Sequence, residues 1–497
     1  MKENFATAER SSLGTRDRDL FMGAPAGTGK RTPAGEEERE EEISGWKQLA
    51  GSFLRLYGRY PASVQERRGG REARAGDDGS RYPEQVFLQE QPFCGSDDSV
   101  YQSRLMVERG AGYDSAPLPR LQDYLLVAAI KRKFSTAQTP FLVFDVHRLL
   151  ENYRLFSRRL KGAEVFYPVK CNDHRRILEL LHDWGSGFEA ASWGEIEALL
   201  AMGVRPERII FGATIKDGKH VAKAYREGVS LYACDSRAEI SKLAKAAPGC
   251  RVYLRLAVPD QGASVFPLSE KFGAHPEEAV ALLCEAEKAD LKPVGLSFHV
   301  GSQCLNPSVW WLAVATAAQV WNRARAAGIE LSLLNLGGGI PVSYAHPVLD
   351  KEVFLSNLNL AVRSHFHRQP RLIIEPGRSL VGDVAVMVAS VIGKARRGDR
   401  EWLYLDAGIY QGLVEAAQER ERFSYLVYAE GQGPLRRYCL GGPTCDAGDV
   451  VARDVVLPEL SCGDRVYIMS AGAYSNVCST TFNGFPPPEA HFLSSEG

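Results

Sequence analysis

From about residue 140 onward the chain alternates between two textures. Short apolar runs recur: EVFYPVK (164–170), GFEAAS (187–192), IIFGAT (209–214), LYACD (231–235), RVYLRLAV (251–258), VGLSFHVG (294–301), LSLLNLGGG (331–339) and RLIIEP (371–376). Runs of this length, rich in β-branched and aromatic residues and bounded by turn formers, read as strands buried on both faces. Between them lie WGEIEALLAMG, SRAEISKLAKAA, HPEEAVALLCEAEKA and WWLAVATAAQVWNRARAAG, whose apolar positions recur with helical spacing. Eight such strand–helix units in succession predict an α/β fold with a closed (β/α)8 barrel rather than an open sheet. Beyond residue 380 the helices vanish. VAVMVASVIGKA, EWLYLDAGIY, RRYCLGG, DVVLPEL and DRVYIMSAG read as strands joined by turns, and FLVFDV is expected to join them from the N-terminal side. The expected division is a leader over 1–118, a segment joining the β-domain over 119–142, the barrel over 143–380 and an all-β C-terminal domain over 381–497.

The leader differs in kind. Its Gly-, Arg- and Glu-rich stretches cannot bury enough apolar surface to offset their ordering entropy, and disorder is expected. GAPAGTGKRT (23–32) looks like a phosphate-binding loop, but its spacing is off by one and no strand precedes it, so nucleotide binding is not inferred. Over the whole chain 60 basic side chains face 61 acidic ones, which gives no reason to expect nucleic acid or an anionic membrane as a partner. Ten cysteines without a CxxC pair argue against structural zinc and for reduced thiols in a cytoplasm. No apolar run is long enough to span a membrane, and the N-terminus lacks the apolar core of a secretory signal.

In a barrel of this kind chemistry gathers at the carboxyl ends of the strands. Those ends carry Lys170, Glu189, Arg255, His299, Ser302, the triplet Gly337, Gly338 and Gly339, then Glu375 and Arg378. Each has a plain structural explanation when taken singly: a solvated amine, a tight turn, a packing imidazole, an ion pair. Their joint occurrence fits pyridoxal phosphate. Its aldehyde needs an amine, which Lys170 supplies from a rigid strand end. Its phosphate needs close backbone N–H groups, which three glycines and a helix expected to begin just after them would offer, with Arg378 and Ser302 adding hydrogen bonds. Its ring nitrogen keeps a proton beside a carboxylate, Glu375, and His299 is suited to stack on the ring.

The segments FYPVKCN, GFEAASWGEIE, SEKFGA, SFHVGSQC, LNLGGGIP, EPGRSLV, GGPTCDAGD and GAYSNVCSTTFNGF together resemble the fold-type III pyridoxal-phosphate decarboxylases, the ornithine/lysine decarboxylase group above all. The resemblance covers roughly residues 120–490. It implies that Lys170 carries the cofactor, that His299 stacks on it, and that Ser302, Gly337 to Gly339, Arg378 and Tyr474 hold its phosphate. It places Glu375 at the ring nitrogen, with Glu189 and Arg255 just behind. It further implies that Cys445 protonates the substrate carbon, that Asp446 binds a distal ammonium, and that homodimers share active sites between chains. Glu415 is expected as a second carboxylate for the small-molecule amino-acid substrate, with Glu419 near it. The implied reaction is decarboxylation of L-ornithine to putrescine, or of L-lysine to cadaverine, in polyamine biosynthesis. Arginine or diaminopimelate decarboxylation, and a non-catalytic regulatory role, are the alternatives. Two departures stand out: glutamate rather than aspartate at Glu189, and Gln303-Cys304 after the strand-six serine.

Overall fold

A computed structural model describes residues 121–494 except 260, 261, 269 and 432; the leader and its phosphate-loop lookalike lie outside the described residues. A helix, Leu121–Lys133, leads into strand β1 (Phe141–Asp145). The barrel strands follow: β2 (Ala163–Pro168), β3 (Gly187–Ala190), β4 (Ile209–Phe211), β5 (Leu231–Cys234) and β6 (Arg251–Leu256). A short strand β7 (Ser264–Phe266) precedes β8 (Lys292–Phe298), and another, β9 (Ser302–Cys304), precedes β10 (Leu333–Asn335) and β11 (Arg371–Ile374). The parallel order β10-β11-β2-β3-β4-β5-β6-β8 closes into a barrel, as the eight apolar runs predicted. Serine caps two of the helices that follow: Ser192 accepts from the Glu195 N–H and Ser236 from the Glu239 N–H.

The pleat explains why these strands lack polar alternation. One parity fills the barrel interior with Phe166, Ile210, Leu231, Tyr253, Leu333 and Ile373. The other parity (Val165, Tyr167, Phe188, Ile209, Tyr232, Leu296) packs outward against the helices. Both faces are therefore apolar, as in parallel sheets covered on both sides. Because side chains alternate with period two, the residues two beyond the interior layer point the same way. These are Arg255 after Tyr253, Asn335 after Leu333 and Glu375 after Ile373, whereas Lys170 is placed by the turn that ends β2. Register agrees: Pro168 pairs with Glu189, Arg255 with Ser297, and Ser297 with Asn335. The barrel floor is greasy and its mouth is charged.

Strands β7 and β9 pair antiparallel at that mouth. Beyond β11 the chain passes through a short helix, Arg378–Val381, directly into β12 (Ala385–Arg397). Then come β13 (Arg400–Leu405), β14 (Val427–Ala429), β15 (Leu435–Gly441), β16 (Val450–Pro458), β17 (Arg465–Ile468) and β18 (Glu489–Leu493). They form a second sheet in the order β14-β17-β12-β13-β15-β16, to which β1 is added antiparallel to β12 and parallel to β18. EWLYLDAGIY is a strand only to Leu405; the rest is a loop that returns to the site. No helix among the described residues is long and apolar enough to cross a membrane.

Candidate functional site

Lys170 lies in a single tight turn, Val169–Cys171, immediately after β2. Its side chain is 45% exposed at the barrel mouth while its amine pairs with the buried carboxylate of Glu189. Burial opposes the ammonium charge, yet Glu189 and Glu375 together lift the amine's pKa above its ordinary value. Glu375 accepts a hydrogen bond from Asn335 Nδ2 at 2.6 Å, and Asn335 Oδ1 accepts the Gly337 N–H at 3.0 Å. Burial, reinforced by Glu189, pushes Glu375 above the usual carboxylate range, against the pull of Lys170, Asn335 and Arg255. Two carboxylates and two cations thus share one pocket, and burial disfavours the charge on Glu375.

His299 is held neutral by burial, with Arg255 and Lys170 adding to the penalty on its charged form. Its Nδ1 accepts the Gly301 N–H at 3.1 Å, so the remaining proton sits on Nε2. The glycine triplet is a cradle that side chains would fill. A Cβ on Gly337 (φ +63°) would lie 2.1 Å from the Phe298 carbonyl oxygen, and one on Gly339 (φ +109°) 2.4 Å from that of Gly301. At Gly338 it would meet the Glu375 carbonyl oxygen at 2.6 Å and His299 Nε2 at 3.2 Å. No helix begins after Gly339, contrary to the sequence expectation. Residues 340–350 run across the mouth as a loop because Gln303 straps them: its Oε1 accepts the Val342 N–H at 3.1 Å and its Nε2 donates to the Val342 carbonyl at 2.6 Å. That path delivers Tyr344 to Arg378.

Arg378, 4% exposed, is bonded along its whole guanidinium. Nε and Nη2 donate to Ser302 Oγ at 3.2 and 3.1 Å; Nη2 and Nη1 donate to the two oxygens of Glu415 at 2.5 and 2.8 Å; Nη1 also donates to the Tyr344 hydroxyl at 2.6 Å. The ring centroids of Tyr474 and Phe266 lie 5.1 and 5.2 Å from its central carbon. Tyr474 reaches that place with φ +54°, its N–H bonded to the Cys171 carbonyl at 2.7 Å. Glu415, expected to face the substrate, instead spends both carboxylate oxygens on Arg378. Sequence spacing does not show which charge a buried carboxylate will find.

The remaining groups stand on a loop of the β-domain. Cys445 is exposed; its thiol and its N–H both donate to Asn483 Oδ1, at 3.2 and 3.1 Å. Asp446 accepts the Tyr410 hydroxyl at 2.7 Å and the Gly448 N–H at 2.9 Å. The Gly448 bond, then Tyr410, hold it below the usual carboxylate range. Asp449 ties this loop to the one bearing Tyr410 by accepting from the Thr444 hydroxyl and the Ile409 N–H at 2.7 and 2.8 Å. Sequence reasoning missed Asn335, Tyr344, Tyr410, Asn483 and Asp449. Asn335 shares the inward parity of Leu333, and Asn483 (φ +55°) precedes a glycine in a turn, so both left a trace.

The set fits an aromatic aldehyde that carries a phosphate: an amine, a neutral imidazole beside it, a buried carboxylate, an arginine–serine pair and a side-chain-free turn. The family described as pyridoxal-dependent decarboxylase, pyridoxal binding domain, matches residues 146–382. The lysine/ornithine decarboxylase of Selenomonas ruminantium is 38% identical over 348 residues, 70% of this chain and 88% of that protein. The structure of the lysine/ornithine decarboxylase of Vibrio vulnificus with cadaverine superposes with a TM-score of 0.68 at 30% identity, covering 76% of this chain and all of that one. The arginine decarboxylase of Paramecium bursaria Chlorella virus gives 0.68 at 28% identity, over 74% of this chain and all of that one. The chain belongs to the fold-type III pyridoxal-phosphate-dependent decarboxylases. It is an amino-acid decarboxylase, and its cofactor is pyridoxal phosphate.

Proposed function

We propose that the substrate is a basic amino acid, L-ornithine first and L-lysine second, and that the products are putrescine or cadaverine and carbon dioxide. Polyamine formation in the cytoplasm by a homodimer with shared sites is the setting. The observation that carries this reading is Asp446: a carboxylate next to Cys445 and held ionised by Tyr410 and Gly448 is suited to a substrate's distal ammonium. The family comparisons support it, since the relatives named above are lysine/ornithine and arginine decarboxylases.

Bound at the barrel mouth, pyridoxal phosphate supplies an electron sink for the pair left on the α-carbon when the carboxylate departs. The chain's own groups do the rest. Lys170 offers the amine that holds the aldehyde carbon, and Glu189 keeps that amine in place. Glu375 would hold the ring nitrogen's proton; a cationic partner there would favour the ionised carboxylate that burial disfavours. Neutral His299 offers a flat face without adding charge. Arg378 and Ser302, with the Gly337–Gly339 turn and Tyr474, would hold the phosphate. Cys445 delivers a proton from Sγ to the α-carbon, with Asn483 fixing the thiol's direction. Asp446 selects the far end of the substrate.

One contact favours a second reading. Arg420 donates to the Gly448 carbonyl at 2.9 Å, close enough to Asp446 that a distal carboxylate, as in diaminopimelate, has a cation near it. Incubation of the loaded enzyme with equal amounts of ornithine, lysine, arginine and diaminopimelate, followed by mass identification of products, separates these. Putrescine should dominate, with cadaverine second; agmatine or lysine as the main product would overturn the assignment.

A further inference from the structure

Glu415 pairs with Arg378 through both of its carboxylate oxygens. All five N–H groups of the guanidinium are engaged, and they divide into two edges. The Nη1–Nη2 edge meets Glu415 in a two-point ion pair, with Tyr344 beside it; the Nε–Nη2 edge meets only the hydroxyl of Ser302. Arg378 and Glu415 are each 4% exposed, and the rings of Tyr474, Phe266 and Tyr344 lie within 6 Å of the guanidinium carbon. A cation so enclosed needs a counter-charge at all times, because a buried unpaired charge is strongly destabilising. When a phosphate is present it can serve. When it is absent, Glu415 must.

We propose that Glu415 is a resident counter-ion which keeps Arg378 paired and oriented before pyridoxal phosphate arrives, leaving the Ser302-facing edge for the phosphate. The inference rests on the assignment of Arg378 to that phosphate. Ser302 gives way there as an uncharged hydroxyl able to donate in its turn, whereas Glu415 stays. A consequence runs against intuition: Glu415 weakens cofactor binding. It stabilises the empty site more than the filled one, and in the filled site its negative charge faces another negative group across the guanidinium. Its work is to let the enzyme fold with an empty cofactor site.

The test compares wild type, Glu415→Gln, Arg378→Met and the double variant, each empty and loaded. Melting temperatures are recorded, and pyridoxal phosphate and phosphate-free pyridoxal are titrated by absorbance. Glu415→Gln should lower the melting temperature of the empty enzyme by about 4 °C or more and that of the loaded enzyme by less than half as much. It should tighten pyridoxal phosphate binding roughly threefold or more while leaving pyridoxal unchanged. The double variant, with neither charge buried, should recover most of the lost empty-state melting temperature. Equal losses in both states, or weaker pyridoxal phosphate binding, would overturn the proposal. If empty Glu415→Gln does not fold, the double variant decides: folding supports the proposal, and failure overturns it. Should Arg378→Met leave the preference for pyridoxal phosphate over pyridoxal intact, the assignment of Arg378 to the phosphate falls instead.

Discussion

At the barrel mouth three charged side chains are each braced by other side chains: Lys170 by Glu189, Glu375 by Asn335, and Arg378 by Glu415, Tyr344 and Ser302. On the β-domain loop around Cys445 the bracing is one-sided. Cys445 is exposed and leans only on Asn483, and Asp446 on Tyr410 and its own loop. The first set sits on or just beyond the ends of the barrel strands, whose register sets where the following turn and helix begin. The second sits on a turn between β15 and β16, positioned by the Asp449 bonds. The difference teaches where each half gets its precision. A barrel mouth can be preorganised by one chain, whereas an exposed thiol beside an ionised carboxylate suits a surface completed by a neighbour. The family resemblance underlies the proposal of shared active sites, and that contrast is in keeping with it.

The contrast can be broken at its strong side first. Lys170→Ala should lower product formation by about a thousandfold or more and abolish the visible absorbance of the bound cofactor. A variant that keeps the absorbance would remove Lys170 from its role. Next in size, Cys445→Ala should cost about 10²–10⁴-fold in kcat, the usual range for a lost proton donor, with the cofactor spectrum unchanged. A spectrum altered as much as in the lysine variant would erase the distinction between the two halves. Asp446→Asn should reduce kcat/KM for ornithine by about 10–100-fold, the worth of a charge-assisted hydrogen bond, mostly through KM. A loss confined to kcat would place Asp446 with the proton donor instead.

The smallest effect concerns stability. Glu195 accepts the Ala191 N–H at 2.6 Å, and burial, partly opposed by that bond and reinforced by Glu189, raises its pKa to about 7. A carboxyl whose folded pKa lies above its unfolded one favours folding while protonated, and that contribution fades as pH rises from the unfolded value toward the folded one. Between about pH 4.5 and 7 the wild type therefore loses stability that Glu195→Gln retains. At pH 8 the variant should be more stable by about 1–2 kcal/mol in denaturant titration, and at pH 4 the difference should vanish. A variant less stable at pH 8 would mean the ionised carboxylate is a net asset.

Much of the mouth was legible because the pleat does the placing. Once the apolar runs are aligned as barrel strands, period-two alternation from Tyr253 and Ile373 delivers Arg255 and Glu375 to one interior, and the turn that ends β2 adds Lys170. Asn335 obeys the same parity but carries no charge to draw notice. The partners of charged groups were less legible. Glu415 and Arg378 are 37 positions apart on separate elements, and only the path of the loop over 340–350 and the helix at Glu415–Gln418 brings them together with Tyr344. After Gly339, Pro341 and Pro347 disfavour a helix, and the Gln303 strap holds the chain across the mouth.

The most direct measurement mixes two inactive enzymes. Lys170→Ala and Cys445→Ala proteins, each silent alone, are combined under conditions where differently tagged subunits are shown to exchange. If the amine and the thiol of one site come from two chains, the mixture should regain about a quarter of wild-type decarboxylation, since half the dimers are hybrid and each hybrid holds one intact site. Demonstrated exchange with no gain beyond the sum of the two variants would contradict the sharing of a site between copies.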